Sequence, residues 1–338
     1  MPALRVKSTK KYMLIIEVKN LTKTFKNYKK PAGFWGSVKS LFHRQTITTK
    51  AVNNISFEIS EGEFVGFLGP NGAGKTTTLK VLSGILHPDS GEVKILGHTP
   101  WLREEKLQKQ IGIVMGQKDQ LIWDIPPIDS YLLFKEIYEI PDDNFKKRLD
   151  ELSALLDLKE VLNTPLRKLS LGQRMKCELI GAILHNPRVL FLDEPTIGLD
   201  VVSKKKMWDF LKKYNEREKT TIILTSHYME DIKRLCKRVI IIDKGTHVYD
   251  GTLQKLMDKY VKNKTISVVF ENEIDEKKLS EVGRIIEKED FKYELSIPKA
   301  KISTAAATIL NKFAVDDISI SAPEAEEVIR EIFEKNKK

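Results

Sequence analysis

The stretch Gly69-Pro70-Asn71-Gly72-Ala73-Gly74-Lys75-Thr76-Thr77 constrains this chain more than any other. An apolar run, residues 64–68, precedes it and suits a buried strand, while residues 77–83 suit a helix that stops at Gly84. Between strand and helix, glycines at these positions let successive backbone N–H groups curl around phosphate oxygens at a positive helix N-terminus. In this pattern Lys75 reaches the β- and γ-phosphates and the Thr76 hydroxyl holds a magnesium ion. The lysine and threonine, each in place, separate the motif from a plain glycine turn. A nucleoside triphosphate site is the expectation.

Further along, residues 189–195 read VLFLDEP: a buried parallel strand with Asp193 and Glu194 at its C-terminal end and Pro195 forbidding further ladder. Ligands of open α/β sheets bind at that end of the strands. Asp193 is expected to hold the magnesium shell through water, and Glu194 to orient and deprotonate the water that attacks the γ-phosphate. Residues 220–225, TTIILT, form another buried strand that delivers His227 to the same edge, where it can hydrogen-bond the γ-phosphate. Gln117 ends a short apolar strand, residues 111–117, and its amide suits both the metal and the attacking water. In LSLGQ, residues 169–173, Ser170 and Gly172 open a helix and make a second anion site. Phe25 is a candidate platform for a nucleobase, with core packing as the alternative and Tyr28 as the second choice.

At 338 residues the chain has room for a large domain and a small one. We place the first at residues 12–262 and the second at 263–338. Residues 12–18 and 55–59 alternate as half-buried antiparallel strands, residues 27–47 break that pattern as an insertion holding a short basic amphipathic helix, and residues 118–187 form a helical insert. From residue 265 the order of strands and helices suits a small α+β domain without recognisable chemistry. The net charge of +10 is compatible with an anionic partner or with a lysine-rich soluble surface. Two widely spaced cysteines support neither a disulfide nor a zinc framework and fit a reducing cytosol. The N-terminal apolar run is too short for a signal-peptide core, and no stretch approaches the roughly eighteen apolar residues of a membrane span.

With these residues in hand, the chain resembles the ATPase subunit of ATP-binding cassette (ABC) transporters over residues 15–250. GPNGAGKT resembles the family's Walker A loop, Gln117 its Q-loop, LSLGQ its signature, VLFLDEP its Walker B strand, Gly198-Leu199-Asp200 its D-loop and His227 its switch histidine. Phe25 falls where the family places its adenine-stacking aromatic, at an unusually long distance from the P-loop. Leu171 stands where the signature commonly has glycine; Ser170, Gly172 and Gln173, expected to face phosphate, are all present. The resemblance implies an α/β fold, a P-loop NTPase core with an antiparallel β subdomain, a helical insert and a C-terminal α+β domain. It also implies ATP and Mg2+ as ligands, hydrolysis, and two cassettes meeting head to tail with each ATP between the P-loop of one and the Ser170 segment of the other. Separate integral membrane permease subunits would be driven through residues 119–140, placing the protein at the cytoplasmic face of the membrane. The C-terminal sequence is similar to that of exporters with separate permease chains, so export is the expected direction and no nucleic acid partner is expected. The competing reading is a soluble ABC ATPase acting on ribosomes or nucleic acid. A single P-loop and the lack of long coiled coils count against it, and co-purification of membrane chains or of rRNA separates the two.

Overall fold

The computed structural model describes residues 13–28, 46–116 and 119–335. Gln117 and most of the inserted stretch at 27–47, with its expected amphipathic helix, lie outside the described residues. Among the described residues no helix is long and apolar enough to cross a membrane. The chain divides between Asp250 and Gly251 into two compact units. The helix at residues 253–260 thus groups with the C-terminal unit, earlier than the boundary placed at 262 from sequence.

In the first unit, β1 (Leu14–Tyr28) and β2 (Thr46–Ser60) form a long antiparallel pair, and β4 (Ser90–Ile95) joins β1 on its other side. Both long strands run well past the segments expected from alternation. The reason is local: register shifts between Val18 and Leu21 and again around Lys23 interrupt the two-residue period, so the apolar pattern stops before the pairing does.

A second sheet carries the order β5-β6-β7-β3-β8-β9, from β3 (Phe64–Leu68), β5 (Ile111–Met115), β6 (Val189–Asp193), β7 (Thr221–Thr225), β8 (Arg238–Asp243) and β9 (Thr246–Gly251). Its strands β5, β6, β7, β3 and β8 are parallel neighbours in turn. Every residue of β3, β6 and β7 is buried, as expected of parallel strands covered on both faces. The C-terminal ends of these strands therefore line up along one edge.

Helices α1 (Lys75–Leu82), α2 (Glu105–Gln108), α3 (Pro127–Ile137), α4 (Asp142–Leu155), α5 (Leu171–Ile183), α6 (Val201–Glu218) and α7 (Met229–Leu235) complete the unit. The expected helical insert is α3 to α5. It is fastened by the fully buried Tyr131, whose hydroxyl donates to Cys177 O at 2.9 Å, and by Arg148, whose guanidinium donates to Ile183 O and Leu184 O. Arg148 thus satisfies carbonyls that the end of α5 leaves without helical partners.

The second unit holds α8 (Leu253–Tyr260), β10 (Asn263–Phe270), α9 (Glu276–Ser280), β11 (Arg284–Glu289), β12 (Lys292–Pro298), α10 (Ile302–Lys312), β13 (Val315–Ser321) and α11 (Ala325–Lys335). Its antiparallel sheet runs β11-β12-β10-β13, which makes β10 to β13 a split βαββαβ unit. Ile266, Val268, Phe270, Leu295, Ile297 and Ile309 form its core. Between β10 and β12 the chain forms the short α9 followed by the edge strand β11. That strand, RIIEKE, is charged and nearly all exposed, as edges that avoid pairing with other chains are, so it shows no alternation.

Candidate functional site

The P-loop leaves the end of β3 and turns into α1. Gly74, the residue before α1, has φ 103°, and a Cβ there would sit 2.2 Å from Ala51 O, so only glycine passes. The Gly245 N–H donates to Ala73 O at 3.0 Å, which docks the β8–β9 turn against the loop. Lys75 is buried and its ammonium donates to Gly69 O at 2.7 Å and Pro70 O at 3.2 Å. Burial lowers the Lys75 pKa, while the nearby Glu194 and Asp193 carboxylates pull it back up.

Opposite the lysine, the end of β6 presents its two carboxylates. Asp193 Oδ1 accepts from Thr76 Oγ1 at 3.0 Å and from Thr225 Oγ1 at 2.5 Å, so the three strand and helix ends meet on one oxygen. Glu194 takes a left-handed backbone, φ 55°, which non-glycine residues adopt only when their surroundings enforce it. Its N–H is held by Thr225 O at 3.0 Å and Thr225 Oγ1 at 3.2 Å. His227 Nδ1 lies 3.1 Å from Glu194 Oε1.

These groups surround a cavity of about 760 Å³ lined by Phe25, Thr49, Ala51, residues 71–77, Lys80, Met115, Gly116, Asp193, Glu194, Ile197 and His227. Phe25 therefore stands on the cavity wall, with Lys23 Nζ 5.8 Å from its ring centre. Gln117 lies outside the described residues, but the two residues before it line the cavity, and the Gly116 N–H donates to Asp193 O at 2.8 Å. Gly69 and Pro70 contribute carbonyls behind the lysine.

The signature residues are elsewhere. Ser170, Gly172 and Gln173 do not line the cavity of their own chain. Ser170 Oγ accepts the Gln173 N–H at 3.2 Å and Gln173 Oε1 accepts the Ser170 N–H at 2.9 Å, a reciprocal capping box at the start of α5. Asp200 is likewise outside the cavity and caps α6, accepting from Ser203 N at 2.9 Å and Ser203 Oγ at 2.7 Å.

Sequence reasoning missed Thr225, Gly245 and the buried Asp231. Thr225 had a readable signal, a polar residue closing a buried strand at the ligand edge. The other two act through contacts between distant segments.

The oxygens converging from Thr76 and Asp193 suit magnesium, a hard ion that takes one or two protein oxygens and fills its octahedron with phosphate and water. Among the described residues no group of three or more His, Cys, Asp or Glu side chains could form an all-protein metal cage. The site fits a metal that arrives with a phosphate.

A family model described as "ABC transporter" matches residues 52–197, and one described as "EvrA-like ABC transporter, C-terminal domain" matches residues 262–321. The ABC transporter ATP-binding protein NatA of Bacillus subtilis is 32% identical over 64% of this chain and 88% of its own length. The chain belongs to the ABC transporter family. The Nod factor export ATP-binding protein I of Burkholderia thailandensis is 35% identical, over 62% of this chain and 68% of its own. The linearmycin resistance ATP-binding protein LnrL of B. subtilis is 33% identical over 66% and 70%. Among solved structures, the dimeric ATP-binding cassette MJ0796 bound to ADP and Pi is 27% identical with a TM-score of 0.59, covering 70% of this chain and 98% of that one. This cassette is an ATPase, the nucleotide-hydrolysing subunit of an ABC transporter, with the α/β fold expected of one.

Proposed function

We propose that Glu194 is the base of ATP hydrolysis, that Thr76 and Asp193 hold Mg2+ (Asp193 through water) with Gln117 as a further ligand, and that the P-loop binds the phosphates. The observation that carries this reading is the pair at the ligand edge: Glu194, one residue past Asp193, faces the P-loop cavity with His227 at 3.1 Å. Bound magnesium supplies charge neutralisation on the phosphate oxygens. The chain's own residues do the rest. Lys75 exchanges its two backbone carbonyls for β- and γ-phosphate oxygens, and Glu194 accepts a proton from the attacking water. An imidazole that donates to Glu194 through Nδ1 can also donate to the γ-phosphate through Nε2 only as the imidazolium, since a neutral ring carries one N–H. Phe25 stacks on the base.

The second anion site is offered to another copy. Ser170 and Leu171 are exposed at the start of α5, and the first-turn N–H groups of Leu171 and Gly172 are those a helix N-terminus presents to phosphate. Two cassettes closing head to tail, with Asp200 at the seam, would put Ser170, Gly172 and Gln173 of one on the γ-phosphate held by the other. Loss of that phosphate would reopen them. The exposed Ile122, Trp123, Leu132, Leu133 and Ile137 make an apolar surface on the helical insert that suits permease subunits in the membrane, and so a place at its cytoplasmic face. Relatives named for Nod factor export and linearmycin resistance support export as the direction.

Glu194→Gln tests the core of this. ATP binding should persist while turnover falls by at least about a hundredfold, and the ATP-loaded variant should accumulate as a dimer in gel filtration. Turnover equal to the parent protein would remove Glu194 from the reaction.

A further inference from the structure

Asp231, on α7, is fully buried and lies outside the cavity, yet it gathers three hydrogen bonds from three separate segments of the site. Its Oδ2 accepts from Thr196 Oγ1 at 2.6 Å and from Ser226 Oγ at 2.5 Å, and its Oδ1 accepts from Trp208 Nε1 at 2.7 Å. Thr196 follows Glu194 by two residues in the turn closed by the Ile197 N–H on Glu194 O at 3.2 Å. Ser226 immediately precedes His227, and its oxygen also accepts the Tyr228 N–H at 2.9 Å. Trp208 belongs to α6, the helix that Asp200 caps.

From this geometry we infer that Asp231 is the positioning residue of the Glu194–His227 pair. One carboxylate oxygen ties the turn that carries the base to the loop that carries the histidine, and the other ties both to α6. A carboxylate out of water is costly unless its oxygens are satisfied, and here each is. The arrangement can be satisfied only when the Glu194 turn, the His227 loop and α6 stand in one register. That register keeps Glu194 Oε1 and His227 Nδ1 at 3.1 Å and holds Glu194 in its left-handed backbone. Asp231 does not line the cavity. It acts through Thr196 and Ser226, so its loss should appear in kcat and leave the P-loop's grip on ATP alone.

This inference rests on Glu194 being the base, and the experiment separates the two claims. The informative pair is Thr196→Val, which removes one hydroxyl at nearly constant shape, against Thr196→Ser, which keeps it. Turnover, the Kd for ATP and the melting temperature are measured on the full chain, with Glu194→Gln alongside. Thr196→Val should lower kcat by roughly tenfold to a hundredfold, the size of a small misplacement of reacting groups, with the Kd for ATP unchanged and Thr196→Ser close to the parent. Asp231→Asn should be at least as slow as Thr196→Val. The inference is overturned if Thr196→Val turns over like the parent while Glu194→Gln stops. It is equally overturned if the Kd rises as far as kcat falls, or if Thr196→Ser is as slow as Thr196→Val. Full turnover in Glu194→Gln would overturn the assignment of the base and this inference with it.

Discussion

The P-loop keeps Lys75 out of water and the signature helix keeps Glu178 out of water, beside Lys176, and the two treat their buried charge differently. Lys75, 6% exposed, has Asp193 and Glu194 nearby and two backbone carbonyls on its ammonium. Glu178 on α5, 4% exposed, has, among the described residues, the N–H groups of Gln120 and Leu121 as its hydrogen-bond donors, at 3.0 and 3.1 Å. Burial lifts the Glu178 carboxyl from its ordinary 4.5 to about 7 against those two bonds. Lys75 lines the cavity, whereas Glu178 lies outside it and fastens Gln120 and Leu121 to the signature helix. The same division runs through the rest of the site: the P-loop, Asp193, Glu194 and His227 meet at one cavity, whereas Ser170, Gly172 and Gln173 lie outside it.

The largest effect that could break this comparison is on the lysine. Lys75→Ala should weaken ATP binding roughly tenfold to a hundredfold, the worth of a charge-assisted bond of about 1.5–3 kcal/mol. The ligand-free melting temperature should hold, because the ammonium's desolvation cost leaves with it. Isothermal titration with ATP reads the first and calorimetric melting the second. A collapse of the ligand-free fold would make Lys75 a structural clasp like Glu178.

On the other side, Glu178 predicts a pH dependence. Its folded-state pKa lies above its unfolded one, so the contribution to stability is fully present below about pH 4.5 and is lost as pH rises through about 7. At about 1.4 kcal/mol per pKa unit the whole loss is about 3 kcal/mol. In Glu178→Gln the titration is gone, so the parent-minus-variant stability from urea unfolding should fall by that order between pH 4.5 and 8. A flat difference would mean that Glu178 is solvated in the folded chain and that the contrast with Lys75 is false.

How far the sequence reveals each half follows from the same contrast. The P-loop and VLFLDEP were legible because their chemistry is contiguous: strand, special residues and helix follow one another within a few positions. His227 was legible as a histidine just past the end of a buried strand at the ligand edge. Asp231, Glu178 and Gly245 were not, because each acts on segments brought near it only by packing. The Thr196 and Ser226 hydroxyls that meet on Asp231 come from opposite sides of α6 and β7 in the chain, and no local pattern announces that. The strand lengths of β1 and β2 were hidden by their register shifts, and β11 by its charged edge.

Ser170→Ala separates the halves more finely. Losing the cap should cost about 1 kcal/mol of stability. ATP affinity of the isolated chain should be unchanged, and turnover, which in the proposed head-to-tail pair needs the segment on a partner's phosphate, should fall about tenfold. Were the affinity of the monomer to fall in step with turnover, the Ser170 segment would belong to its own chain's site.

The smallest effect concerns how the signature meets the D-loop within one chain. Gly198 has φ 69°, and a Cβ there would lie 2.6 Å from Leu171 Cδ2, so Leu171 occupies the space that the glycine leaves open. Two costs are therefore superposed in Gly198→Ala: the left-handed backbone, about 1 kcal/mol, and the collision with Leu171. Leu171→Ala removes only the second. The double variant should thus be more stable than the sum of the singles predicts, by about 1 kcal/mol in denaturant unfolding. That coupling would show that the signature and the D-loop are packed as one body before any partner arrives, with Leu171, the departure from the usual glycine, as the contact that joins them. Strict additivity would leave the collision unfelt and the two segments free of each other, so that only a second copy could set their spacing.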